Sequence, residues 1–167
     1  MRNLIHNKIF LILIIAAGIL SSCTDDALYM KTHSFKNNQW NKNEKPVFKV
    51  NFPGDDVIYD VIFTLRSTTN YKYDNIWLYI TTTGPECNKE KEKGPVLGKV
   101  PVEIKMAKPT GEWIGEKSGT YVETQLLFRE RKFCKGEYTF TIEQGVTMDV
   151  MPEVSNITIE VKPKDSE

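Results

Sequence analysis

Apolar side chains follow three regimes along this chain. From Ile9 to Leu20 they run without a charged or polar interruption. From Thr24 to Lys45 the chain is polar and holds no sustained period, and from Pro46 onward apolar and polar positions alternate. The first regime is twelve residues long. As a helix it reaches only about 18 Å, short of the roughly 30 Å hydrocarbon core. With Arg2 and Lys8 ahead of it, it predicts a cleaved secretory segment and not a permanent span.

The third regime predicts strands. Val47, Phe48, Val50 and Phe52 make a short one, stopped by the turn Pro53-Gly54-Asp55-Asp56. Over Val57 to Arg66, Tyr59, Val61, Phe63 and Leu65 form the core-facing set, against Ile58, Asp60, Ile62 and Thr64. Asn75 to Thr83 repeats the pattern, with Ile76, Leu78 and Ile80 on one face and Trp77 and Tyr79 on the other. A hairpin across residues 67–74 is the simplest pairing of these two strands. Further strands are predicted at Gly98 to Lys105, Thr120 to Phe128, after Gly136 (Tyr138, Phe140, Ile142) and at Val154 to Val161. The stretch from Gln144 to Met151 is read as a short helix or an irregular crossover. Seven short strands separated by turn signals, without a useful helical stripe, predict an all-β fold, a single antiparallel β-sandwich.

The apolar run ends in Leu20-Ser21-Ser22-Cys23, which resembles a bacterial lipobox. Small residues before the cysteine admit a peptidase, and the thiol accepts a diacylglyceryl group. Two or three acyl chains, at about 0.8 kcal/mol per buried CH₂, hold a protein at a membrane in effect permanently. The expected layout is a signal peptide over 1–22, a lipidated N-terminus and tether over 23–45, the sandwich over 46–162 and a polar tail over 163–167. Tyr29, Phe35 and Trp40 are the tether residues able to dock on the domain.

Charge excludes one class of partner. The signal carries two of the 22 basic residues and none of the 22 acidic ones, which leaves 20 against 22 in the mature chain. No basic patch emerges, so nucleic acid is not an expected partner. The run Lys89-Glu90-Lys91-Glu92-Lys93 alternates in sign between Pro85 and Pro95 and reads as a solvated loop.

Candidate chemistry is sparse. His6 leaves with the signal, so His33 is the only imidazole and lies in the tether, which disfavours Ser–His or Cys–His catalysis. Asp55 and Asp56 sit side by side in a turn, where two carboxylates fall short of the six to eight oxygens calcium takes. No metal site, cofactor or enzyme activity is expected. Cys87 and Cys134 remain after lipidation of Cys23, either bridged or as two free thiols. A bridge closing 48 residues contributes roughly 4 kcal/mol in the chain-entropy model. Tyr71, Tyr73 and Trp113 are the candidate partner-binding aromatics, because loop aromatics anchor proteins or stack on sugars. The alternative is that they pack down as lids on the open ends of the sandwich.

Three segments resemble one family. Thr69-Asn70-Tyr71-Lys72-Tyr73-Asp74-Asn75 is similar to the N-x-Y-x-Y-x-N segment of the GldH gliding-motility lipoproteins of Bacteroidetes. Pro109-Thr110-Gly111-Glu112-Trp113-Ile114-Gly115 resembles that family's P-x-G-x-W-x-G, and the stretch from Gly136 to Gln144 its G-x-Y-x-F-x-I-x-Q. Glu86 to Val96 matches nothing in it. The resemblance implies a lipid-anchored envelope protein, in the outer membrane or the periplasm, with the outer membrane the leading expectation, tied to gliding and to type IX protein secretion. Its partners would be envelope proteins of that machinery, and it brings no catalytic residue. The other readings are a glycan-binding sandwich module and, disfavoured by the missing imidazole, a hydrolase.

Overall fold

The computed structural model describes residues 27–54, 57–86 and 94–164. The signal, Cys23, the Asp55–Asp56 pair, Cys87 and the alternating charge run lie outside the described residues. The described residues form eleven strands: β1 Tyr29–Ser34, β2 Gln39–Asn41, β3 Val47–Phe52, β4 Ile58–Thr68, β5 Asn75–Thr83, β6 Gly98–Lys105, β7 Glu116–Ser118, β8 Tyr121–Lys132, β9 Gly136–Gln144, β10 Val150–Pro152 and β11 Val154–Pro163. All pairings are antiparallel, and the only helical element among the described residues is a 3-10 turn at Lys36–Asn38.

One sheet runs β1-β11-β4-β8-β7, the other β3-β9-β5-β6, and β10-β2 form a small ribbon. Alternation explains why two sheets face each other. Along β4, Tyr59, Val61, Phe63 and Leu65 are buried, and along β5, Ile76, Leu78 and Ile80 are. Each strand thus has one apolar face, and the two sets meet in a shared core. Phe63 of β4 lies 6.1 Å from Phe140 of β9 in an edge-to-face contact. Phe52 of β3 stacks on Phe133 at 3.8 Å and meets Tyr59 of β4 at 5.2 Å. The antiparallel β-sandwich expected from the sequence is what forms, with eleven strands in place of seven.

Two expectations are corrected. β4 and β5 do not form a hairpin: β4 pairs with β11 and β8, and β5 pairs with β6 and β9, so residues 69–74 cross from one sheet to the other. The stretch read as a tether through residue 45 also belongs to the fold. β1 pairs along its whole length with β11, and Trp40 is fully buried, stacked on Phe35 at 4.5 Å. Its indole N–H donates to the Glu44 carbonyl at 2.8 Å. Docking of Phe35 and Trp40 therefore occurs, and burying two aromatics is enough to hold a polar segment as an edge strand. At the other end the last strand reaches Pro163, and the Lys164 N–H donates to the Ile58 carbonyl at 2.7 Å.

Strand direction gives the sandwich two distinct ends. β1 enters at the end that holds the β3–β4 turn, the β5–β6 loop, the β8–β9 turn and the finish of β11. The opposite end carries the β4–β5 crossing, the segment from Met106 to Thr120 and the approach to β10.

Candidate partner-binding surface

At that opposite end the loop after β4 begins with a tight turn: the Tyr71 N–H donates to the Thr68 carbonyl at 3.1 Å. The Thr68 hydroxyl donates to the Glu153 carboxylate and accepts the Asn70 N–H at 3.2 Å. Tyr71 is turned inward, 6% exposed, and its hydroxyl donates to the Asn75 carbonyl at 3.0 Å. Burial, reinforced by the negative charges that Tyr73 and Asp74 can carry beside it, pushes its pKa up to about 12. Tyr73 is 49% exposed, edge-to-face on Tyr71 at 5.6 Å. Between this loop and Pro152-Glu153 lies a cleft of about 340 Å³, lined also by Asn70 and Lys72.

The loop bearing Trp113 is fastened to the same end. The Asp74 backbone carbonyl accepts the N–H groups of Met106 and Ala107 at 2.7 and 3.0 Å, and Ala107 bridges to Trp113. Trp113 is half-buried against the core, so it packs mainly as a lid. The structure thus brings Tyr71, Tyr73 and Trp113 to one end, with Tyr73 the most open to solvent.

The motif residues have local physical reasons. The Gly111 N–H donates to the Lys108 carbonyl at 2.8 Å, and φ of +84° at Gly111 favours glycine. A Cβ on Gly115 would stand 2.2 Å from the Glu123 carbonyl oxygen of β8, so only glycine fits that approach. In β9, Tyr138, Phe140, Ile142 and Gln144 all point inward. These residues build the fold, and none presents a reactive group. Among the described residues no cluster of three or more His, Cys, Asp or Glu side chains is placed to hold a metal. His33 lies on β1, 2.7 Å from Glu44.

Cys134 is engaged in a disulfide. Cys87, the partner expected from the sequence, lies outside the described residues. Two residues ahead of it, Pro85 accepts a hydrogen bond from the Tyr138 hydroxyl at 2.8 Å, and the same hydroxyl receives the Cys134 N–H at 3.3 Å.

A further pair of aromatics, placed by alternation but given no role from the sequence, lies away from these loops. Trp77 and Tyr79 are 44% and 38% exposed on the outer face of β5. The alternation had already set them opposite the core-facing isoleucines and leucine, where polar side chains are the rule. That was the available signal.

Comparison with known proteins bears on the whole chain. The family model described as GldH lipoprotein matches residues 27–161. A gliding motility lipoprotein GldH homolog of Christiangramia forsetii is 28% identical over 164 residues, covering 95% of this chain and 93% of the relative. The gliding motility lipoprotein GldH of Flavobacterium johnsoniae is 22% identical over 161 residues, covering 92% and 96%. Among solved structures, TmCBM61 in complex with β-1,4-galactotriose overlays with a TM-score of 0.36 at 9% identity, covering 81% of this chain and 88% of that one. An overlay that loose carries no argument.

Proposed function

The chain belongs to the GldH lipoprotein family, and from that premise we propose that it serves gliding motility as a non-enzymatic accessory of the apparatus and of the associated type IX secretion. The observation that carries this reading is the extent of the match, which takes in every strand of the sandwich but the last two residues of β11. The lipid sits on Cys23, the membrane is the outer membrane, and the partners are envelope proteins of the machinery.

Chain length supports an orientation. Tyr29, where β1 begins, is six residues on from Cys23. At most ~3.3–3.6 Å each, they let the start of β1 stand no more than roughly 20 Å from the lipid. β8 has twelve residues, and a strand that long spans about 40 Å. The end with Tyr71, Tyr73 and Trp113 therefore faces away from the bilayer, toward partners, while the β8–β9 turn lies near it. Cys87 is the bridge partner of Cys134, since it is the one other cysteine left once Cys23 is acylated. In an oxidising compartment that bond closes the membrane-proximal end.

Deletion of the gene in the native host tests the proposal. The expected result is loss of type IX cargo from the medium and, in a gliding strain, loss of surface spreading, both restored by the wild-type gene. A deletion strain that secretes and spreads like its parent would overturn it.

A further inference from the structure

The outer face of the β3-β9-β5-β6 sheet carries two exposed aromatics on its second strand from the edge. Trp77 and Tyr79 are two residues apart, so their rings rise from the same face roughly 7 Å apart. Register sets Glu103 and Pro101 of β6 beside them on one side, and Glu143 of β9 beside Tyr79 on the other. Beyond Trp77 lies Gly145, which adds no side chain, and its N–H donates to the Trp77 carbonyl at 2.7 Å.

The polar groups around the rings are held in place. Asn75 donates to Glu103 Oε1 at 2.7 Å, and among the described residues the other carboxylate oxygen takes no hydrogen bond. Glu143 is pinned between Lys45 at 3.1 Å and Lys99 at 3.2 Å, and Lys99 Nζ also sits over the Tyr79 ring, 4.6 Å from its centre, so one part of that ring face is taken by the ammonium. The indole N–H of Trp77 has no partner among the described residues.

From this we propose that the Trp77–Tyr79 face is a glycan-binding platform that takes a linear oligosaccharide of at least two pyranose units. The apolar C–H face of one sugar ring stacks on Trp77 and the next rests against the part of Tyr79 that Lys99 leaves exposed, while their hydroxyls bond to Glu103, the Trp77 indole N–H and the Lys99–Glu143 pair. The polar groups beside the rings that stay unpaired among the described residues decide for a sugar over a protein: the second Glu103 oxygen and the Trp77 indole N–H match ring hydroxyls. At 44% and 38% exposure, two side chains of 150–250 Å² offer on the order of 150 Å² of stacking surface. The edge strand β6 also presents Pro101 and two terminal-region lysines, Lys99 and Lys105, which oppose the addition of a partner strand. The positive and negative groups nearly balance, so the chain preferred is neutral.

Affinity electrophoresis of the full mature chain tests this, with β-glucan, xylan, galactan, mannan and the host's own envelope polysaccharide copolymerised in the gel. At least one polysaccharide is expected to retard the wild type. Trp77→Ala should weaken that binding by about tenfold or more, with an unchanged melting temperature, and Trp77→Phe, which keeps a ring, should retain most of it. The proposal is overturned if no polysaccharide in the panel retards the wild type, or if Trp77→Ala is retarded equally. Envelope protein lost from co-purification with Trp77→Ala, without any glycan retardation, would reassign the face to a protein and likewise overturn it.

Discussion

The Tyr138 hydroxyl donates to the Pro85 carbonyl at 2.8 Å and thereby ties β9 to the start of the β5–β6 loop. Tyr138 itself is fully buried and meets Phe52 and Phe133 edge-on at 5.4 and 5.0 Å. Gly84, one residue before Pro85, leaves room for that ring: a Cβ there would fall 2.3 Å from Tyr138 Cδ1. The hydrogen bond fastens the loop that leads to Cys87 beside the turn that holds Cys134.

The first prediction concerns that corner. Peptide mapping without reduction should recover one fragment linking Cys87 to Cys134. Tyr138→Phe should cost about 1 kcal/mol, because it removes the part-buried hydrogen bonds that the hydroxyl makes with the Pro85 carbonyl and the Cys134 N–H. Two alkylatable thiols in the unreduced protein would remove the bridge from the account.

Gly115 provides a second. Gly115→Ala should destabilise by roughly 2–3 kcal/mol or more, since the new methyl meets backbone that cannot retreat. Gly119→Ala, at φ +59° with nothing within 4 Å, should cost only the left-handed backbone penalty of about 1 kcal/mol. Equal melting temperatures for the two variants would contradict the packing argument.

Much of the fold is legible in the sequence, for reasons these residues illustrate. Period-2 alternation marks strands with a buried face, and β3, β5 and β6 begin and end where the alternation does. It says nothing about which strand pairs with which. The direct hairpin of β4 with β5 needs the least chain, but both strands are buried between other neighbours. β1, β2, β7 and β10 carry no such signal, because three-residue strands and strands at a sheet edge need no sustained alternation: Glu116, Lys117 and Ser118 are all exposed. The candidate aromatics divided for a similar reason. A loop sequence does not reveal which way a side chain turns, so Tyr71 and Tyr73, two residues apart, ended on opposite sides of the surface.

Tyr71 yields a prediction in pH. Its unfolded pKa is near 10 and its folded value about 12, so the phenol contributes fully below pH 10 and loses that contribution as pH rises toward 12. At about 1.4 kcal/mol per unit, the wild type should lose roughly 2–3 kcal/mol across that window through this group. Tyr71→Phe should lose correspondingly less over the same range, at a cost of about 1 kcal/mol near neutrality for the missing hydrogen bond to Asn75. Parallel denaturation curves at every pH would refute the assignment.

Trp113 separates packing from contact. Being half-buried, Trp113→Ala should cost about 2–3 kcal/mol, less than the 3–5 kcal/mol expected at the fully buried Trp40. Tyr73→Ala should leave the melting temperature nearly unchanged. If this end of the sandwich meets the partner, Tyr73→Ala should nevertheless impair spreading or secretion in cells at wild-type protein levels. Normal behaviour of that variant in both assays would place the contact elsewhere.

The claim that this GldH-family protein works at the membrane through lipid on Cys23 is tested most directly by colony spreading in a gliding host. The deletion strain carries either the wild-type gene or Cys23→Ser, expressed at matched levels. The account predicts that the wild type restores the spreading zone and Cys23→Ser, still folded but unacylated, does not. Full restoration by Cys23→Ser would contradict it.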